Sequence, residues 1–228
     1  MTLRWAAAAC GVVAAGIAAG AAVLPRALPT PERRLSDSPR FSREHLAALI
    51  GRRAPRLEAE FVDRLADAVM GESARAGYDP LFVLAVVGVE SNYRPRVESW
   101  QGARGIVQLK PSTFAWLTAR EPDVGAAAMT VGDDPIVDVR LAVRYLRWLE
   151  KRFTTRAAAL MAYNAGPRRF REHQRSGEIP ERLLGYARSV RREHERLARM
   201  LSRIPGASGP ARRTLLASAM RFEVVASR

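Results

Sequence analysis

The feature that most constrains what this chain can fold into is a repeated device for starting helices. At Asp79-Pro80, and again at Asp134-Pro135, an acceptor side chain precedes a proline and a run rich in apolar residues follows. Proline at the first helical position sacrifices no hydrogen bond, and the aspartate before it caps the free amides. Pro111-Ser112-Thr113 and Pro180 open two further segments, and Thr155 is placed to cap "RAAALMAYNAG", which Gly166 stops. Leu57, Phe61, Leu65 and Val69 recur every four residues, the spacing of one helix face. No segment alternates as a half-buried strand does, although residues 93–109 are irregular enough to hold a small hairpin. The expectation is an all-α, or nearly all-α, domain over residues 41–203. Its helices run from 80 to about 91, 111 to about 120, 135 to about 153, 156 to 165 and 180 to about 203.

The flanks read differently. Arg4 precedes an uncharged run from Trp5 to Leu24, 20 residues, close to the length that spans a bilayer. Its A-x-A patterns around Ala18 to Ala22 offer a cleavage site, so residues 1–25 are expected to be a signal peptide or a signal-anchor transmembrane helix. Residues 26–40, rich in Pro, Arg and Ser, read as a linker, and residues 204–228 as a tail without a motif. The domain is therefore expected outside the cytoplasmic membrane, with membrane anchoring by the apolar helix left open. The lone Cys10 rules out an intrachain disulfide and a cysteine metal site. His45, His173 and His194 have no second ligand one helical turn away, so no metal or cofactor is expected. A net charge of +14 points to an anionic neighbour. With no zinc-finger cysteines and no recognition module, nucleic acid is not expected to be that partner.

One residue sits against the grain of its surroundings. "VLAVVGVESNYRP", Val83 to Pro95, is an apolar helical run that ends on Glu90. A helix C-terminus carries partial negative charge, and both it and the apolar neighbours disfavour a second negative charge there. Both effects raise the carboxyl's pKa, which suits a proton donor near neutral pH. From position alone, an exposed glutamate ending a helix is the commoner outcome.

The following residues shift that balance. Glu90-Ser91 is succeeded by Ser99, Gly102-Ala103-Arg104-Gly105, Gln108, Pro111-x-Thr113 and, later, "ALMAYNAGP" from Ala159 to Pro167. In order and spacing, these elements resemble the lytic transglycosylases of the soluble lytic transglycosylase (SLT) type, over about residues 79–190. The resemblance implies a lysozyme-like helical domain with a substrate groove. It also implies cleavage of the β-1,4 bond between N-acetylmuramic acid and N-acetylglucosamine in peptidoglycan glycan strands, leaving a 1,6-anhydro ring, in the periplasm or cell envelope. Glu90 corresponds to the catalytic acid. Ser99, Gln108, Tyr163, Asn164 and Tyr186 correspond to substrate-binding positions, Tyr186 with a register one residue longer than the family's and Glu181 a weaker candidate beside it. From residue chemistry alone, Ser99 serves equally well as a turn stabiliser and Asn164 as a helix-end residue. The family's Leu-Met is Ile106-Val107 here, a stiffer pair that changes apolar contacts but removes no catalytic group.

A two-carboxylate glycosidase needs a second acid near the scissile bond. Between Glu90 and Arg120 the only other acid is Glu98, and Asp133 and Asp134 already have a capping role. A single-acid mechanism fits that shortage. A hydrolytic muramidase on the same fold, drawing an acid from a distant segment, and a wall-binding scaffold without turnover are the alternatives. Trp100, Trp116 and Trp148 offer rings for sugar stacking, the last two being better read as core.

Overall fold

In the computed structural model, residues 42–125 and 130–207 are described; the apolar run at the N-terminus, the linker and the tail beyond 207 lie outside them. The described residues form nine helices and no strand. They are α1 (Arg43–Arg53), α2 (Ala59–Ala76), α3 (Pro80–Ser91), α4 (Pro111–Thr118), α5 (Pro122–Gly125), α6 (Pro135–Glu150), α7 (Arg156–Ala165), α8 (Pro167–Ser176) and α9 (Glu181–Leu201). None of them is long and apolar enough to cross a membrane.

The capping devices do what their chemistry dictates. Asp79 accepts from the Leu81 N–H, Asp134 from the Ile136 N–H, and the Thr155 side chain from the Ala158 N–H. Helix α1, not anticipated from periodicity, starts with a capping box in which Ser42 and His45 satisfy each other's amides. Helix α8 was likewise not anticipated. Its sequence, PRRFREHQRS, buries only Phe170, so no apolar face marks it.

The centre of the domain is α3. Leu81 to Val87 are all buried, an apolar surface on every side of the helix, so α3 must be wrapped by neighbours. Helix α9 lies along it, α7 packs on α9, α6 joins α7 to α2, and α1 covers α2 and part of α9. Gly88 makes the α3–α9 approach possible: a Cβ there would stand 3.1 Å from Glu193 Oε1 and 3.2 Å from Tyr93 Cε2. The result is that residues of α9, nearly a hundred positions later in the chain, meet the C-terminal turn of α3.

That turn is held firmly. Asn92 and Tyr93 both adopt left-handed backbone angles, φ 53° and 63°, which end the helix just past Glu90. Such angles are unfavourable for non-glycine residues, and buried contacts compensate. The Tyr93 ring is buried, its hydroxyl donates to the Leu84 carbonyl at 3.0 Å, and the Arg53 guanidinium lies 5.2 Å from its centroid. Arg53 is itself paired with Glu193 of α9 at 2.7 Å. The irregular segment beyond contains the small hairpin that its sequence allowed, reduced to isolated antiparallel bridges between Glu98 and Arg104 and between Arg104 and Leu109.

Candidate active site

Glu90 occupies the last turn of α3, partly buried, and its Oε1 accepts a 2.5 Å hydrogen bond from the Tyr186 hydroxyl of α9. Burial raises the Glu90 pKa to about 7; the Tyr186 hydrogen bond works in the opposite direction and is outweighed. Burial also holds the Tyr186 phenol well above its ordinary value, and the neighbouring Glu90 charge adds to that. Tyr186 therefore keeps its proton and remains a donor. With Oε1 engaged, Oε2 is the oxygen available to carry and release a proton.

Tyr163, from the last turn of α7, is the second aromatic of the site. It too is held well above its usual pKa, by burial first and then by the charge of Glu90. Its hydroxyl donates to the Val107 carbonyl at 2.9 Å. This bond ties α7 to the loop that follows Glu90. The same loop is braced by Gln108, whose backbone is left-handed at φ 51° and whose side-chain amide donates to the carbonyls of Val97 at 3.0 Å and Gly105 at 2.9 Å. Ser99 accepts from the Ala103 N–H at 3.0 Å, while its own N–H donates to the Ala103 carbonyl at 2.8 Å. Its hydroxyl thus closes a tight turn, whose tip carries Trp100, 91% exposed. Asn164 is exposed near the end of α7 and makes no side-chain hydrogen bond among the described residues. Glu181 lies on the surface, paired with Arg188. Among the described residues no group of histidine, cysteine and acidic side chains is arranged to hold a metal ion.

The geometry thus brings Glu90, Tyr186 and Tyr163 into one cluster and gives Gln108 and Ser99 the work of shaping the loop beside it. One residue of this neighbourhood was missed in the sequence. Asp138, on α6, is 0% exposed, has no cationic partner among the described residues, and accepts from the Gly132 N–H at 3.0 and 3.3 Å. Burial raises its pKa to about 7; the Gly132 amide opposes this, and the charges of Asp134 and Asp133 add to it. Its Oδ2 sits against the backbone of Gly105, where a Cβ would lie only 2.3 Å away, at a left-handed φ of 78° that itself favours glycine. The available signal was a carboxylate inside the apolar run Ile136-Val137-Asp138-Val139.

The model of the transglycosylase SLT domain matches residues 67–182, just over half of the chain and all of the cluster except Tyr186. The chain belongs to the SLT transglycosylase domain family. The soluble lytic murein transglycosylases of Escherichia coli K12 and O157:H7 are each 30% identical to it over 91 residues, 40% of this chain. That stretch is 14% of the length of those relatives. The X-ray structure of an inactive mutant of the lytic transglycosylase Slt from Pseudomonas aeruginosa superposes with a TM-score of 0.50 at 19% identity, covering 75% of this chain and 32% of that one. The all-helical architecture is therefore that of the SLT, lysozyme-like fold.

Proposed function

We propose that this SLT-family chain is a peptidoglycan lytic transglycosylase that cleaves the β-1,4 bond between N-acetylmuramic acid and N-acetylglucosamine and forms 1,6-anhydromuramic acid. The observation that carries the reading is Glu90: a carboxyl near pKa 7, fixed on Oε1 by Tyr186, with Oε2 making no hydrogen bond among the described residues. In the first step Oε2–H protonates the departing glycosidic oxygen as the bond to the anomeric carbon breaks. The resulting carboxylate then takes the proton of the muramoyl 6-hydroxyl, whose oxygen attacks the anomeric carbon from within the same sugar. The substrate's N-acetyl group stabilises the positive charge in between, and Glu90 ends protonated as it began. Gln108, Ser99 and Asn164 belong to the groove in this reading, the first two by holding the loop and Asn164 by presenting a free amide. Tyr163 and Tyr186 orient the loop and the acid.

Domain organisation follows the same proposal: an export or anchor segment at 1–25, a linker at 26–40, a catalytic domain at 41–203 and a tail, acting in the periplasm or cell envelope. The +14 charge fits an anionic wall polymer as neighbour.

Asp138 gives one specific reason to hold a second reading, hydrolysis by a two-carboxylate muramidase. It is less favoured because both Asp138 oxygens are directed to the Gly132 amide and its carboxyl is fully buried. Mass spectrometry of muropeptides from purified sacculi separates the readings. Anhydromuramoyl products from the wild type, absent with Glu90→Gln, are the expected result. Reducing-end products would replace transglycosylation by hydrolysis, and sacculi bound but uncut by the wild type would leave a binding scaffold.

A further inference from the structure

A short motif occurs twice at helix ends and plays no part in the chemistry above. Trp116-Leu117-Thr118-Ala119-Arg120 closes α4, and Trp148-Leu149-Glu150-Lys151-Arg152 closes α6. In each copy the arginine folds back onto its own tryptophan. The Arg120 Cζ lies 4.6 Å from the Trp116 ring centroid and the Arg152 Cζ 3.6 Å from that of Trp148. The two indoles meet edge to face at 4.9 Å, so the two copies form one patch.

Several properties of this patch fit a ligand. Both tryptophans are only partly buried, and neither indole N–H has a hydrogen-bond partner among the described residues. Arg120 and Arg152 are exposed and form no ion pair among the described residues; Arg152 spends one N–H on the Trp148 carbonyl at 3.0 Å. Neighbouring acids are already engaged: Glu121 and Asp123 by Arg144, Glu150 by Arg156. A guanidinium stacked on an indole is immobilised with its N–H edge outward, and that edge matches a carboxylate. The patch is also linked to the acid's surroundings through the buried aromatics on which it packs. Trp148 stacks on Tyr145 at 5.9 Å, and Tyr145 lies 5.6 Å from Tyr163, two ring-to-ring steps from the residue beside Glu90.

We propose that the paired Trp-Leu-x-x-Arg ends form a carboxylate-binding subsite for the acidic stem peptide carried by the glycan strand. The inference rests on the peptidoglycan reading and adds a peptide-recognising element to it. The guanidiniums bind peptide carboxylates, and the indole N–H groups meet peptide carbonyls. Because the contact lies away from the scissile bond, it affects KM more than kcat.

Two measurements test this, the first of them independently of the cleavage reaction. In the first, indole N–H resonances of the full domain are followed by NMR while a free acidic stem peptide, or its fully amidated counterpart, is added. Shifts of the Trp116 and Trp148 signals with the acidic peptide, lost with the amidated one and in Arg120→Ala/Arg152→Ala, are expected. Unmoved signals in the wild type overturn the subsite whether or not the protein cleaves glycan. In the second, the double variant is compared with wild type on stem-bearing strands and on strands stripped of peptide by an amidase. About a tenfold rise in KM confined to stem-bearing strands supports the proposal. An equal effect on both substrates, or none, refutes it.

Discussion

Replacing Glu90 by glutamine should make the protein more stable, by an amount that depends on pH in a defined way. The ordinary glutamate value is 4.5, and burial in the fold raises it to about 7. Between those limits the folded protein holds a proton that the unfolded chain has lost, so stability falls as pH rises. The contribution of the protonated form is complete below 4.5 and is lost once the pH has passed through about 7. Each unit is worth about 1.4 kcal/mol, so the full difference is about 3 kcal/mol. Glutamine is neutral throughout, has nearly the same shape, and offers its carbonyl oxygen to the Tyr186 hydroxyl. The Glu90→Gln variant should match wild type at pH 4.5, gain over it through pH 6, and reach a plateau above pH 7.5. For a domain of this size, the plateau corresponds to a Tm increase of roughly 7–12 °C. Thermal unfolding followed by circular dichroism from pH 5 to 8.5 reads this directly. A gain that is the same at pH 5 and pH 8.5, or a variant less stable than wild type above pH 7, would refute the view that Glu90 is a strained, desolvated acid.

Other perturbations probe the same cluster. Tyr186→Phe removes the hydrogen bond that lowers the Glu90 pKa, so the fall of kcat/KM on the alkaline side, near pH 7 in wild type, should move to higher pH; a shift to lower pH would contradict the assignment. Asp138→Asn should be more stable than wild type above pH 7 and unchanged at low pH, since the Asp138 value is also raised to about 7, and it should retain cleavage. Loss of turnover without loss of fold would instead make Asp138 the second carboxylate of a hydrolase. Gly105→Ala should cost more than about 2 kcal/mol in denaturant unfolding, combining a left-handed backbone with a methyl driven into Asp138. Tyr163→Phe, which frees the Val107 carbonyl, should cost about 1 kcal/mol and loosen the loop, visible as faster amide exchange over residues 97–109.

Most of the helical layout was legible because its signals are local. Asp79-Pro80, Asp134-Pro135 and Thr155 each cap an amide two or three residues away, and the helices that follow begin where those residues lie. Helix α8 was not legible, since one buried phenylalanine sets no period. Glu90 could be singled out because the apolar run before it and the helix end are both written in adjacent residues. The pairing with Tyr186 was not, since it depends on how closely α9 approaches α3 at Gly88. Asp138 shows the limit from the other side. An aspartate one turn into a helix reads as a first-turn acid favoured by the helix dipole, and only the packing of α6 on the 105 and 132 loops buries it completely.

The hydrogen bond between Glu90 and Tyr186 joins residues 96 positions apart, with α4 to α8 folded between them. Closing a loop of that length costs chain entropy, and contacts so far apart in sequence slow the folding of the chains that need them. The burial that raises the Glu90 pKa comes from the packed helices around the end of α3, and without α9 among them that burial would be reduced. The acid's reactivity is thus a property of the packed core rather than of α3 alone, since α9 both supplies the Tyr186 hydroxyl and buries its own apolar face against that helix.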